Sequence, residues 1–380
     1  MRERFKDLKR IVVKVGSHVL TLPDGSLNLK KIEDLASELC KIRETGIDIA
    51  LVSSGAVAIG RNKLNICNSR FISIPQKQAS ASVGQCYLMW AYEQAFGTYS
   101  QRVAQILLTH EDFRSRKRYI NIRNTIHFLF YYKVIPIINE NDSVAVEEIK
   151  FGDNDNLSAM VANLVIADLL ILLSDVDGLY SGDPNKTSSA KLIPFVQELT
   201  PEIEGLAGRN RSFILSTGGM ASKIQAIKKT ISLGMTAIIA RGTIPQVVTK
   251  ILNGEEVGTL FLPKNEGLSS RKHWILHILK SKGKITLDNG AKTALLCNNK
   301  SLLPSGIIKV EGGFNIGDAV SCCDEEGKEF AKGLTNYDAK ELRQIKGNQS
   351  SKIEGILGYK HCDEVINRDD LVILLPTDKK

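Results

Sequence analysis

The sequence has no apolar run long enough to cross a membrane. Its most sustained one, residues 164–173, is broken by Asp168, whereas a spanning helix needs roughly 20 apolar residues. The charged start, Met1-Arg2-Glu3-Arg4-Phe5-Lys6-Asp7, leads directly into Ile11-Val12-Val13 without the apolar stretch and small-residue cleavage site of a secretory signal. A cytoplasmic protein is expected. The seven cysteines, at 40, 67, 86, 297, 322, 323 and 362, form no C-x-x-C pair and no zinc-ligand spacing. They read as reduced, mostly buried thiols; Cys322 and Cys323 would point to opposite faces of a strand. The phosphate loop G-x-x-x-x-G-K-[ST] is missing, as are H-R-D, D-F-G and H-E-x-x-H, which excludes a P-loop enzyme, a protein kinase and a zincin. His273 and His277, four apart around Trp274, therefore stand alone and name no metal site. With 30 Gly and 10 Pro in 380 residues, a collagen-like or low-complexity chain is excluded too.

What remains is an ordinary globular composition on a chain too long for one core, so two domains are expected. The net charge of +8 invites a nucleic-acid reading until it is located. Residues 281–380 carry 15 basic and 15 acidic side chains, and residues 1–280 carry 35 against 27. The excess lies in the first part, densest at Arg114, Arg116, Lys117, Arg118 and Arg123, which reads as a solvated or subunit-facing surface.

Strand and helix patterns alternate through that first part. Strands are expected at 10–15, 48–53, 103–108, 134–138, 169–173 and 236–240, and helices at 29–44, 77–96, 119–131, 156–167 and 220–233. Strands apolar on both faces imply a mostly parallel sheet covered by helices on each side, a three-layer α/β/α sandwich. After residue 263 the pattern changes. A polar linker and short helix are expected at 264–280, then a small β-rich domain at 281–360 with turns at 288–290, 303–306, 311–313 and 325–327, and a terminal segment at 361–380.

Chemistry gathers where the sandwich strands end, the edge at which open α/β sheets bind ligands. Val13-Lys14-Val15-Gly16-Ser17 puts a lysine inside an apolar strand before a Gly-Ser turn. Burial is costly unless an anion meets it, although an edge-strand lysine would look the same. Ser53-Ser54-Gly55-Ala56 opens a helix whose free N–H groups suit a carboxylate, unless it is only a tight turn. Asn139-Glu140-Asn141-Asp142 and Asp153-Asn154-Asp155-Asn156 supply acceptors for an ammonium group and oxygens for Mg²⁺, or a helix cap. The second cluster lacks the sixth-position Gly and terminal Glu of a calcium loop. Ser174-Asp175-Val176-Asp177-Gly178 leaves a buried strand, and Thr217-Gly218-Gly219-Met220-Ala221-Ser222-Lys223 sets a double glycine at a helix start with a lysine in its first turn. Such backbone cradles phosphate, and Lys223 can neutralise a transferred group.

The ordered set K-x-G-S, S-S-G-A, K-Q-A-x-x-x-V-G-Q (Lys77 to Gln85), N-E-N-D, G-D-N-D-x-L-S-A, L-x-S-D-x-D-G-L-Y and T-G-G-M-x-x-K resembles the amino-acid kinase superfamily and, within it, the glutamate 5-kinases. The match runs the length of the chain, and the last domain is similar to a PUA domain. The resemblance implies ATP-dependent phosphorylation of the γ-carboxylate of L-glutamate, the first step of proline synthesis, with Mg²⁺. It implies that Lys14 and Lys223 flank the moving phosphoryl group, that Asp155 holds them, and that Ser54, Asp142 and Asn154, with Asn139 and Asp153 nearby, hold glutamate. ATP would lie on Lys14, Ser174, Asp175 and Thr217, Gly218, Gly219, Met220, Ala221, Ser222 and Lys223. Proline as feedback inhibitor, a homo-oligomer (dimer or tetramer) and glutamyl phosphate reductase are the implied partners. Ser216 stands where the family usually has Gly before T-G-G-M. PUA domains elsewhere bind RNA, yet a net-neutral domain gains little from counterion release, so nucleic acid is not expected.

Overall fold

The computed structural model describes residues 5, 8–66, 73–144, 154–184, 189–209, 219–263, 280–360 and 362–374. The chain divides into two compact units, Met1–Glu266 and Gly267–Lys380.

The first unit runs β1 (Arg10–Val15), α1 (Ser17–Leu20), α2 (Leu29–Glu44), β2 (Asp48–Ser53), α3 (Ala56–Lys63), α4 (Ile74–Gly97), β3 (Val103–Leu108), α5 (His110–Arg114), α6 (Arg116–Tyr131), β4 (Ile135–Glu140), α7 (Asn154–Val165), β5 (Leu169–Ser174), β6 (Phe195–Val196), α8 (Pro201–Arg209), α9 (Met220–Ser232), β7 (Thr236–Arg241), α10 (Val247–Leu252) and β8 (Thr259–Phe261). Its eight strands lie in the order β3-β4-β2-β1-β5-β7-β8-β6. Every pairing is parallel except β7 with β8. The mostly parallel sheet and its helical layers agree with the sandwich expected from the apolar strands.

Strand alternation decides which face each side chain serves. Ile11, Val13 and Val15 of β1 join the core packed against α2, α4 and α10, while Val12 joins the opposite core with α6, α7 and α9. Lys14, two residues beyond Val12, shares Val12's face and so lies under α7 and α9. By the same rule Ser53 follows Leu51, and Asn139 follows Ile137, onto the α4 face.

Helix α4 starts three residues before the expected 77, because Ser73 and Gln76 form a reciprocal cap and Pro75 occupies the first turn. It packs backbone to backbone on α3. A Cβ at Gly60 would land inside the Ser80 carbonyl, and one at Gly84 inside that of Ala56. Helix α7 begins at Asn154 rather than 156 and stops before Ile166, whose φ is +59°. Asp168, which interrupts the apolar run, accepts the Lys9 and Arg10 N–H groups at 2.7 and 2.9 Å, fastening the start of β1. In the basic cluster, Arg118 pairs with Asp112 at 3.0 Å.

The second unit carries β9 (Gly283–Leu287), α11 (Asn289–Leu296), β10 (Ile307–Gly312), β11 (Ala319–Cys323), β12 (Glu329–Leu334), α12 (Ala339–Ile345) and β13 (Leu371–Ile373). Its five strands are ordered β10-β9-β11-β12-β13 around a core that includes Ile285, Val320, Tyr337 and Leu342. The turn expected at 288–290 is instead the start of α11, with Asp288 as its cap accepting the Ala291 N–H at 2.7 Å. Residues 303–306 form a 3₁₀ turn, and Gly327, at φ +81°, makes the turn between β11 and β12. Cys322 and Cys323 are both buried and unpaired, and burial raises both thiols. The linker helix expected at 271–279, with His273 and His277, lies outside the described residues.

Candidate active site

Three charges meet where β1 ends beneath α7 and α9. Lys14 Nζ lies 2.6 Å from Asp155 Oδ1, and Lys223 Nζ lies 3.2 Å from Asp155 Oδ2. Ser222 donates its hydroxyl to the same Oδ2 at 2.8 Å. All three charged side chains are buried, Asp155 at 1% exposure. Burial alone would raise the Asp155 carboxyl, but the two ammonium groups and the Ser222 hydroxyl outweigh it and hold it at about 2. Burial lowers Lys223, opposed by Asp155 and reinforced by Lys14. The cluster carries one net positive charge in a dry place, suited to an incoming anion.

The second part of the site is a chain of amides. Asn154, beside Asp155 at the start of α7, shares the two hydrogens of Nδ2 among three acceptors, Ser53 O at 3.1 Å, Ser54 Oγ at 2.9 Å and Asn139 Oδ1 at 3.0 Å. Asn139 in turn donates to Gln85 Oε1 at 2.9 Å and accepts the Glu140 N–H at 2.9 Å. Ser53 Oγ meets the buried Tyr92 hydroxyl at 2.9 Å, so α4 braces both β2 and β4. Gly55, at φ +100°, starts α3 with no side-chain cap, a conformation that favours glycine.

Asp142 follows β4 and is buried, and burial pushes its carboxyl up to about 6. Its Oδ1 has no partner among the described residues, nor do Asn154 Oδ1 and Gln85 Nε2. Asp142 and Gln85 line one cavity of about 240 Å³ with Ala56, Ser82, Glu140 and Asn141. Buried polar atoms without partners are costly and rare, so two in one cavity mark a place built for a polar guest.

The third part is the end of β5. Ser174 donates to the exposed Asp175 Oδ1 at 2.9 Å. Register places Ser174 beside Arg241 of β7, which grips Asp177 through two hydrogen bonds of 2.5 and 3.0 Å, and Tyr180 donates to the same carboxylate at 2.8 Å. The Arg241 contact holds Asp177 below the usual carboxylate range. Gly219 caps α9 with no side-chain hydrogen bond and with no atom of the described residues within 4 Å of where a Cβ would stand, and Met220, Ala221 and Ser222 form the first turn that leads to Lys223.

Of the residues singled out in the sequence, Lys14, Asp155, Ser222 and Lys223 come together directly, and Ser54, Asn139 and Asn154 form one network. Asp142 stands at the adjoining cavity, and Ser174 with Asp175 at the next strand end but one from β2. Asp153, Thr217 and Gly218 lie outside the described residues. Gln85, Tyr92 and Arg241 were not singled out individually. Gln85 was visible only as the last letter of K-Q-A-x-x-x-V-G-Q, and nothing local signals that Tyr92 or Arg241 faces a strand end.

A sheet whose strand ends carry a buried Lys-Asp-Lys cluster, an amide network and a glycine-started helix defines a class of phosphotransferases without a P-loop. A family model described as the amino acid kinase family matches residues 9–241, and one described as the PUA domain matches residues 283–357. The chain belongs to the amino acid kinase family. It is 49% identical to the glutamate 5-kinase of Geobacter sulfurreducens over 97% of this chain and 98% of that protein. The glutamate 5-kinase of Desulfotalea psychrophila is 50% identical over 98% of this chain and 99% of its own length. That of Pelobacter propionicus is 47% identical over 98% and 100%. Within the family, the chain stands with the glutamate 5-kinases.

Proposed function

We propose that this chain transfers the γ-phosphoryl group of ATP to the γ-carboxylate of L-glutamate, giving L-glutamyl 5-phosphate for proline synthesis. The observation that carries this reading is the buried Lys14-Asp155-Lys223 cluster, joined from neighbouring Asn154 through Asn139 to Gln85 and the cavity of about 240 Å³ that it lines with Asp142, whose buried Oδ1 has no partner among the described residues, in a chain that matches glutamate 5-kinases along nearly its whole length.

A γ-carboxylate oxygen attacks the γ-phosphorus, and the bond to the β,γ-bridging oxygen breaks with its electron pair leaving on ADP. The nucleophile is already an anion, so no protein base has to remove a proton. Catalysis then rests on positioning and on charge placed where it is needed. Lys14 and Lys223 flank the phosphoryl oxygens, and Asp155 keeps both ammonium groups in place between turnovers. Their attraction to the phosphoryl group is strong because water is excluded. Asp142 receives the substrate ammonium, while Ser54 and Asn154, held by Asn139, orient the acceptor; Asp153 completes that group. ATP lies along Ser174 and Asp175 and over the start of α9, from Thr217 and Gly218 to Lys223. Mg²⁺ would be held by the ATP phosphates and would neutralise part of their charge; among the described residues no three His, Cys, Asp or Glu side chains gather as ligands. Cytoplasmic location, a homo-oligomer, inhibition by proline and transfer of the acyl phosphate to a glutamyl phosphate reductase complete the proposal, together with a catalytic domain at 1–263, a linker at 264–280 and a PUA-like domain at 281–360.

The test is a panel of L-glutamate, N-acetylglutamate, aspartate and UMP with MgATP, read by ADP release and by trapping the acyl phosphate with hydroxylamine. Glutamate alone should give both signals. A hydroxamate from N-acetylglutamate only, or ADP release with UMP only, would replace the proposed acceptor.

A further inference from the structure

The amide chain of the site has its orientation fixed by one group that cannot turn round. A backbone N–H can only donate, so Glu140 N–H obliges Asn139 to present Oδ1 to it, at 2.9 Å. Asn139 Nδ2 must then point the other way, and there it meets Gln85, which has to offer Oε1, again at 2.9 Å. With its acceptor used, the Gln85 amide is left with Nε2, a buried donor without a partner among the described residues. Gly84, the residue before it, rests on the Ala56 carbonyl so closely that no side chain fits, and this contact seats Gln85 at the cavity it shares with Asp142.

Two side chains that line this cavity thus each bury one polar atom without a partner among the described residues, a donor at Gln85 Nε2 and an acceptor at Asp142 Oδ1. The guest that satisfies both bears a positive donor and an acceptor on neighbouring atoms, as the α-carbon of an amino acid does. This rests on the functional reading above, in which the reacting carboxylate is taken up by the lysines and the α end of the substrate is what the cavity must accommodate. We propose that Gln85 is a specificity-determining residue of the acceptor site, donating its side-chain N–H₂ to the α-carboxylate of the amino acid whose ammonium group meets Asp142.

Gln85→Glu separates this role from support of Asn139, because it keeps an oxygen for Asn139 Nδ2 and replaces the donor with a carboxylate that repels the substrate's own. The expected result is a KM for L-glutamate raised at least tenfold, with KM for ATP changed less than twofold. A second substrate reads the contact directly. The α-amide of L-glutamate keeps the γ-carboxylate and the ammonium but offers a neutral α-group whose N–H₂ can donate to the new carboxylate. The preference for L-glutamate over this α-amide, as a ratio of kcat/KM values, should fall at least tenfold in Gln85→Glu. It should fall severalfold in Gln85→Met, which removes the donor without adding charge and serves where Gln85→Glu does not fold. A loosened helix would weaken both substrates alike and leave the ratio alone. A wild-type chain inert toward glutamate would bring down the functional reading together with this assignment. A wild type active on glutamate, with the ratio unchanged in the folded variants, would overturn the role of Gln85 alone.

Discussion

At the lysine end of the site two ammonium groups stand 2.6 and 3.2 Å from one carboxylate, while at the amide end Gln85 Nε2, Asn154 Oδ1 and Asp142 Oδ1 are buried without partners among the described residues. Both ends are buried, so solvent access does not explain the contrast. The guests do. A phosphoryl group in transit stays for the duration of the reaction, and cations gathered for it would repel one another in the empty enzyme unless Asp155 held them. An amino acid binds before chemistry and brings its own charges, so the protein can leave Asp142 and Gln85 open until it arrives. The lysine end should therefore govern kcat and stability, and the amide end substrate affinity.

The sharpest way to break that division is Asp155→Ala. Removing the shared anion leaves two buried ammonium groups facing each other, and losing one partner of a buried ion pair typically costs about 3–5 kcal/mol. The expected result is a kcat lowered by about 10³ or more, with a marked fall in unfolding temperature, measured by steady-state kinetics and thermal melts. The pH dependence has a definite sign. Because the Asp155 carboxyl is held at about 2, its stabilising contribution is present above the ordinary carboxyl value of 3.8 and is lost as pH falls through about 2. An Asp155→Ala protein that melts like wild type and loses only glutamate affinity would erase the contrast.

Lys14→Ala and Lys223→Ala come next. Each leaves Asp155 with one ammonium partner, so the folded state should survive. Each removes a charge from the transferring group, for which a loss of about 10² to 10³ in kcat is typical. Because both lysines share one carboxylate, the double variant should lose less than the product of the single losses. Single variants with near-wild-type turnover would remove that lysine from the chemistry.

Asp142→Asn tests the other end, where function and stability should move in opposite directions. A carboxyl raised from 3.8 to about 6 in the folded state contributes stability that is fully present below 3.8 and lost as pH rises through about 6. At pH 8 the free enzyme thus bears a destabilising anion, of the order of 1–3 kcal/mol from a shift of that size. Asp142→Asn should raise the unfolding temperature at pH 8 by a few degrees and give no such gain at pH 4. KM for glutamate should rise tenfold or more with kcat little changed, and wild-type kcat/KM for glutamate should fall as pH drops through about 6. A variant that is less stable at pH 8 would place the Asp142 carboxylate in a satisfied environment instead.

The difference between the two ends also governs what could be read before the fold was known. Lys14 was legible because an ionisable residue inside an apolar strand needs a reason, and Lys223 because a lysine in the first turn of a glycine-started helix can neutralise a transferred group. Period-two counting puts Lys14 on the face of Val12 and Asn139 on that of Ile137, but that these faces meet α7 and α4 is known only from the two cores. The partner of Lys14 could not be derived in that way. It lies 141 positions away at the start of a helix whose expected beginning was two residues late, and Asp155 entered as a role only through the family resemblance. Gln85 was less visible still, since nothing in its neighbours on α4 points to Asn139. What fixes it is the close approach of Gly84 to the Ala56 carbonyl, which leaves no room for a Cβ, a long-range packing fact. In the second unit, Asp288-Asn289-Gly290 carries the same residue types as a hairpin turn, and only the helical run after it makes Asp288 a cap.

The smallest effect is expected from the widest comparison, that of the first unit with the second. All the site residues that the structure describes, from Lys14 to Arg241, lie in the unit ending at Glu266, which has its own two cores on the two faces of its sheet. The second unit is built around a separate core that includes Ile285, Tyr337 and Leu342, and no lysine cluster or amide chain of the site draws on it. A chain ending near residue 270 should keep glutamate-dependent kcat/KM within about tenfold, an allowance of roughly 1.4 kcal/mol for indirect effects. The measurement is hydroxamate formation at matched concentrations of folded protein, with proline added in a parallel series. A truncated chain that melts cooperatively yet forms no hydroxamate would mean that the site depends on the second unit, and the division of labour along the chain would have to be redrawn.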